Sequence, residues 1–311
     1  PTSIVLWARA LPEDLTLDGA VQLELATDAE FSSRIDLGDL SSLVARADHD
    51  HCVRVKVEGL SAGTTYFYRF EHGGTLSATG RFGTASAADA NVPVRFAALS
   101  CQDRSGRYYN SLLRLLDGDH DDLRFVVHLG DYVYETDADP GFMMATGDRT
   151  VVFRNPEEAI SLGDGAFHGA RSVGNYRDLY RAYRSDPILQ RVHESFPFIC
   201  IWDDHEFSDD CWGDTGTYSY GALVEQDRER RLNAEQVYFE YMPIASDLEG
   251  QGSLTVDRAA LYPSTQIFRS FRFGQHCTLA VTDYRSYRPD HPTPEDAYPG
   301  FVLLDEAQTR A

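Results

Sequence analysis

Three apolar runs in this sequence end in side chains that hold metals. The run "VPVRFAALS" stops at Cys101. The run "LRFVVHL" passes into "GDYVYE", which supplies Asp131 and, three residues on, Tyr134. The run "PFICIW" passes into "DDHE", which sets Asp203, Asp204, His205 and Glu206 in a row. A thiol, a phenol, an imidazole and several carboxylates at adjacent strand ends form an anionic nest that is costly to bury without a cation. Carboxylates with a phenolate suit a hard ion such as ferric iron, whereas carboxylates alone suit calcium, magnesium or manganese. Singly, each feature has an ordinary explanation: a strand-end cysteine is a small hydrophobe, Gly-Asp is a turn, and a histidine beside acids is a surface pair. Together at three strand ends they predict a metal site.

The elements that must position these groups are legible in outline. Residues 1–88 carry short, partly alternating runs ("SIVLWARA", "AVQLELATD", "DHCVRVKVEGL", "TTYFYRFEHGG") separated by turn residues, and predict an all-β fibronectin/immunoglobulin-like sandwich. The stretch "GLSAGTTYFYRF" is similar to the tyrosine-corner region of such sandwiches. Polar "ASAADANVP" then links to residues 89–311. There, "VRFAALS" and "LRFVVHL" are continuously apolar, as strands buried on both faces are. The intervening "RYYNSLLRLL" has helical spacing at Leu112, Leu113, Leu115 and Leu116, so the three make a βαβ unit. A helix broken near Pro187, the strand "PFICIW", a helix over "RRLNAEQVYFEYM" and the strands "STQIFRSFRFG" and "CTLAVTDYR" complete an α/β region. Open α/β sheets place ligands at the carboxyl ends of their strands. The segment from Glu135 to Gly174 reads as an insertion and a lid candidate. Its Phe142, Met143 and Met144 are placed either to meet a lipid chain or simply to pack.

With 311 residues, 42% of them hydrophobic, the chain can bury two cores. A net charge of -21 argues against general nucleic-acid binding and against a polybasic membrane patch. No run of about 18 apolar residues predicts a membrane span. The five cysteines are an odd number, too sparse for a disulfide framework and without a C-x-x-C pair. Cys200 and Cys277 lie in apolar strands and either pair or stay as buried thiols. The chain opens on a strand, closes on what reads as the start of a helix and carries no targeting signal, so it reads as a piece of a longer or nicked protein.

The set "SCQ", "HLGDYVYE", "YRDLYRAYRSDPILQ", "IWDDHEFSDD", "RRLNAEQVYFEYMP" and "TDYRSYR" resembles the alkaline phosphatase D (PhoD-type) family of metallophosphoesterases, which also includes actinobacterial phospholipases D. Within it, "GDYVY" fits the GD-x-x-Y block of enzymes of the purple acid phosphatase kind, and "DHE" stands where those have Asn-His-Glu or Asn-His-Asp. "VLWARA", "GTTYFYRF" and "GRFGTA" are similar to the family's N-terminal sandwich, so the resemblance covers nearly the whole chain. It implies a metallophosphoesterase-like α/β catalytic domain over residues 89–311, truncated at its C-terminus, because the family's remaining ligands lie further along. A separate C-terminal piece of the same protein is the implied partner. It further implies Fe3+ held by Cys101, Asp131 and Tyr134, with Tyr176 a rival phenolate. Ca2+ is the implied second ion (Mn2+, Mg2+ or Zn2+ in its place), shared by Asp131 and held by Asp204, with Asp203 a substitute or orienting group. His205 is the implied catalytic residue at the leaving group. Arg177 is the implied contact to substrate phosphate, while Arg181 and Arg184 are weighed against a solvated helix face. The expected reaction is hydrolysis of a phosphate ester by a metal-activated hydroxide in a secreted or cell-envelope bacterial protein. Two alternatives stand beside it: a phospholipase D-type diesterase, and an inactive secreted binding protein with calcium as structural glue.

Overall fold

The computed structural model describes residues 2–117, 122–141, 149–218, 223–245 and 251–288. Its first part has seven strands and two short 3-10 helices (Gly38–Ser41 and Ala47–His49); the strands are β1 (Ile4–Arg9), β2 (Gly19–Ala26), β3 (Ser42–Ala45), β4 (Cys52–Val57), β5 (Thr65–His72), β6 (Thr75–Leu76) and β7 (Gly80–Gly83). One antiparallel sheet runs in the order β3-β2-β5-β6, with β7 also on β5, and a second pairs β1 with β4. Alternate residues of β2 (Val21, Leu23, Leu25) point inward, as a half-buried strand requires. They meet Leu6, Val53, Val55, Phe70 and Phe82 in one core between the sheets. The Tyr66 hydroxyl accepts from the Ser61 backbone N–H at 2.9 Å and so ties β5 to the turn before it.

The second part begins with β8 (Arg95–Leu99), α1 (Asn110–Leu116) and β9 (Leu123–His128). β8 and β9 are parallel neighbours joined through the helix, so the βαβ unit is present. Then come β10 (Thr136–Asp137), β11 (Ile160–Leu162) and β12 (Phe167–Gly169), a small antiparallel sheet inside the predicted insertion. Phe142, Met143 and Met144 lie outside the described residues. The long helical stretch is two helices, α2 (Val173–Arg184) and α3 (Pro187–Ser195). Ser172 and Asn175 cap α2 reciprocally, and Asp186 caps α3 ahead of Pro187. The chain continues through β13 (Phe198–Cys200), β14 (Thr215–Tyr218), β15 (Leu223–Gln226), α4 (Arg228–Tyr241), β16 (Gly252–Ser253), β17 (Arg269–Phe273) and β18 (Cys277–Val281).

The central sheet has the order β13-β9-β8, all parallel. β9 is its buried middle strand, and Tyr176, Tyr180 and Tyr183 of α2 close over the same core at i, i+4, i+7 spacing. β8 departs from expectation. Phe96 is 40% exposed and no residue of β8 is fully buried. An apolar run shows what a strand can bury, not whether something covers it, and β8 is an edge strand of the described sheet. Cys200 and Cys277 remain thiols, on β13 and β18.

The two parts are joined at a polar seam. Asp50 receives Arg9, Arg181 and the Tyr241 hydroxyl. β16 comes back from the second part to pair with β4. A cavity of about 310 Å3 lies along this seam, lined by Trp7, Tyr68, Phe82, Arg184, Phe198 and Phe271 among others. None of the ligand-type residues at the strand ends lines it.

Candidate metal centre

β8, β9 and β13 are hydrogen-bonded neighbours, so their carboxyl ends are side by side, and backbone bonds continue beyond the strands. Leu129 N–H donates to Leu99 O (2.8 Å), Ile201 N–H to His128 O (3.0 Å) and Cys101 N–H to Gly130 O (3.1 Å). Two candidate ligands then sit in the left-handed region, Cys101 at φ 58° and Asp131 at φ 54°. Non-glycine residues there are uncommon and cluster at functional sites. Gly130, at φ +110°, brings the second turn onto the third: a Cβ at this position would lie 2.4 Å from Asp203 N and 2.8 Å from the Trp202 carbonyl carbon. Only glycine permits that approach.

Glu206 ties the same two turns together. Its buried carboxylate accepts from Asp131 N–H (3.1 Å), Tyr132 N–H (2.6 Å) and Asp203 N–H (2.9 Å). Burial, with the Asp131 charge adding, raises its pKa to about 8.

Around this frame the predicted residues converge. Asp131, Asp204 and His205 each offer a ligand atom within 4.8 Å of the others. The Cys101 thiol donates to Asp131 Oδ2 at 3.4 Å, and the Tyr134 ring lies over His205 with centroids 4.3 Å apart. Burial pushes Asp131 up to about 6, against the pull of His205 and with Asp204 and Asp203 adding to the rise. Burial likewise raises the Cys101 thiol and the Tyr134 phenol, and the Asp131 charge works in the same direction. Each anion is thus unfavourable while no cation is bound, and a cation would reverse the sign of every one of these shifts. Asp131 Oδ1 is buried and has no hydrogen-bond partner, although buried acceptors are nearly always satisfied. That orphaned oxygen, beside a second carboxylate, a thiol, a phenol and an imidazole, fits a hard cation.

His205 is fixed from behind. Its Nδ1 lies 2.6 Å from Glu135 Oε2, and Glu135 Oε1 accepts from Asp209 N–H at 2.6 Å. Burial disfavours the charged ring, but the Glu135 charge and hydrogen bond outweigh it, helped by Asp204 and Asp131, and raise the pKa to about 10.

Asp203 sits at the edge of the cluster, where its Oδ1 takes Arg285 Nε at 2.6 Å. Two predicted residues have other tasks. Tyr176 is fully buried and donates its hydroxyl to Phe207 O at 2.7 Å, so a neutral phenol is what the interior requires there, not a phenolate. Arg177 is held by both oxygens of Glu240 (2.8 and 2.7 Å) and by Asp48 O. It serves the seam, and its guanidinium is not available to a substrate. Arg181 also serves the seam, and Arg184 lies over the Trp7 ring at 4.2 Å.

Three residues that matter here carry no assigned role in the sequence reading: Glu135, Glu206 and Arg285. The signal for the first two is an acid just inside a buried turn. For Arg285 it is a cation just after an apolar strand, in "TDYRSYR", in an otherwise acidic chain.

The model of the PhoD-like phosphatase N-terminal domain matches residues 1–86, and that of the PhoD-like phosphatase matches residues 96–310. Alkaline phosphatase D of Bacillus subtilis (strain 168) is 32% identical over 321 residues, covering 98% of this chain and 50% of its own length. A solved structure of PhoD superposes with a TM-score of 0.74 at 30% identity, covering 94% of this chain and 51% of that one. The chain therefore spans about half the length of the relatives it matches. With both family models matched in order and the strand-end cluster assembled as described, the chain belongs to the PhoD-like phosphatase family.

Proposed function

We propose that the protein containing this chain hydrolyses phosphoric esters at the strand-end cluster, outside the cytoplasm. In this reading Cys101, Asp131 and Tyr134 hold Fe3+, while Asp131 and Asp204 hold Ca2+ or another divalent ion. The observation that carries it is the convergence of Asp131, Asp204 and His205, with Cys101 on Asp131, in a chain of this family. When bound, such cations supply Lewis acidity to phosphoryl oxygens and activate water at neutral pH. The chain's own residues do the rest. Glu206 and Gly130 hold the two acid-bearing turns at a fixed separation. Glu135 holds the His205 ring in one orientation, and its charge favours the protonated ring. Nε2 is then the ring atom that delivers a proton to the departing ester oxygen. The N-terminal unit, read as a fibronectin/immunoglobulin-like sandwich, braces α2 and α4 through Asp50, which takes Arg181 and the Tyr241 hydroxyl, and through Trp7, whose Nε1 donates to the Glu240 carbonyl.

The test uses the full-length protein, its C-terminal part included. Rates are measured on p-nitrophenyl phosphate, bis(p-nitrophenyl) phosphate and phosphatidylcholine, together with metal content and the visible spectrum. Hydrolysis lost in Asp131→Asn, with iron present and a visible band that fades in Tyr134→Phe, is the expected result. A preference for the lipid makes the enzyme a phospholipase D-type diesterase. No hydrolysis of any of the three esters by metal-replete protein overturns the reading in favour of a binding protein.

A further inference from the structure

Arg285 is placed with unusual firmness for an arginine in a turn. Its backbone N–H and that of Ser286 donate to Asp283 Oδ1, both at 2.9 Å. Its carbonyl accepts from Gly213 N–H at 3.0 Å, and Arg231 donates to Ser286 Oγ at 3.0 Å. From this mount the guanidinium meets three carboxylates of the "DDHEFSDD" turn. Nε is 2.6 Å from Asp203 Oδ1, Nη2 is 3.2 Å from Asp204 Oδ1, and Nη1 is 3.8 Å from Asp210 Oδ1. The side chain is 13% exposed and Nη1 is buried without a hydrogen-bond partner.

Asp204 is the point of conflict. It belongs to the carboxylate, carboxylate and imidazole cluster suited to a cation, and it is also one arm of this arginine fork. Its second oxygen accepts from Asp210 N–H at 2.6 Å. A divalent ion drawn to Asp204 meets a fixed positive charge already on the same carboxylate. Like charges sharing one anion repel, and in a half-buried site bulk salt screens that repulsion only partly.

We propose that Arg285 is a built-in counter-cation that competes with a divalent ion for Asp204. It holds the acidic turn folded when the centre is empty and sets how tightly the centre takes its cation. The inference rests on the cation-binding reading above, and it assigns Arg285 a positioning role rather than contact with substrate.

The test is calorimetric titration of Ca2+, and separately Mn2+, into metal-stripped full-length protein, with the melting temperature of the stripped protein read alongside. Arg285→Gln is expected to bind the ion about tenfold more tightly than wild type, to melt lower when stripped, and to regain stability on adding the ion. Arg285→Lys, which keeps the charge, is expected to stay within about threefold of wild-type affinity. Equal or weaker binding by Arg285→Gln overturns the inference while leaving the cation site intact. No binding by wild type overturns both. In case Arg285→Gln does not fold without metal, the wild-type protein gives a second readout. The Arg285 Nε–H signal in nitrogen-edited NMR, assigned by its loss in Arg285→Lys, should shift and exchange faster with solvent once Ca2+ saturates. A signal unchanged at saturation overturns the inference.

Discussion

Replacing Gly130 with alanine probes the closest approach in the site. The residue has φ +110°, where an L side chain is strained, at a cost of about 1–3 kcal/mol. The new methyl would press on Asp203 N at 2.4 Å and on the Trp202 carbonyl carbon at 2.8 Å. These are backbone atoms, so no flexible tip can yield. Relief requires the "GDY" and "DDHE" turns to part, which stretches the Glu206 bonds to Asp131 N–H and Asp203 N–H. Losing one such bond to a buried carboxylate costs about 1.5–3 kcal/mol. The total is about 2.5–6 kcal/mol, and a melting point lower by roughly 5–24 °C follows at about 2–4 °C per kcal/mol. Urea unfolding of the full-length protein, monitored by tryptophan fluorescence, measures the loss, with ester hydrolysis assayed in parallel. Gly59→Ala is the control, since Gly59 has φ +74° but open space around its Cβ position, and it should show only the strain. If Gly130→Ala loses no more than Gly59→Ala and keeps full activity, the mutual approach of the two turns is not what builds the site.

Other outcomes follow from the same geometry. His205→Asn should lower kcat by about 10^2–10^4, with the smaller loss on p-nitrophenyl phosphate and the larger on alkyl phosphates, whose leaving groups need the proton. An equal loss on both would refute leaving-group protonation. Asp50→Asn should destabilise the protein by about 3–5 kcal/mol, because Arg9 and Arg181 lose their shared anion. Chemical denaturation reads this, and a change under about 1 kcal/mol would place the seam's strength elsewhere. Burial holds His128 down to about 3 and His193 well below the ordinary histidine range, so both stay neutral in the fold. The unfolded chain takes up these protons below about pH 6.5, so stability is full above that and falls as pH drops, by up to about 1.4 kcal/mol per unit for each histidine. The urea midpoint of wild type relative to His193→Phe should fall as pH drops from 7.5 to 5.5, because only the wild type takes up a proton at this position on unfolding. A difference that does not change with pH would refute it.

How much of this the sequence discloses depends on whether a residue's task is local. The strand ends are legible because apolar runs that stop abruptly at Cys101, Asp131 and Asp203 are local patterns. The break between α2 and α3 is equally local, since Pro187 lacks an N–H and Asp186 is a ready cap. Tyr176 and Arg177 show the limit. Helical periodicity turns Tyr176 inward, but whether its hydroxyl meets a metal or the Phe207 carbonyl depends on a loop 31 residues away. Arg177 is on a face that looks solvated in isolation and is claimed by Glu240 and by the N-terminal unit. Glu206 and Arg285 stayed without roles for the same reason. One serves backbone amides of two separate turns, and the other crosses more than 70 residues to reach its carboxylates.

The return of β16 to pair with β4 bears on the order in which the protein is made. Gly252 pairs with Lys56 and Ser253 with Val55, so this edge of the sheet that holds β1 and β4 is completed by residues synthesised nearly 200 positions later. At about 5–20 residues per second on the ribosome, the edge stands open for roughly 10–40 s after its own strands have emerged. An unpaired strand edge invites pairing with other chains. Until its last partner arrives, Lys56 and Arg54 are the charges along that strand that oppose such pairing.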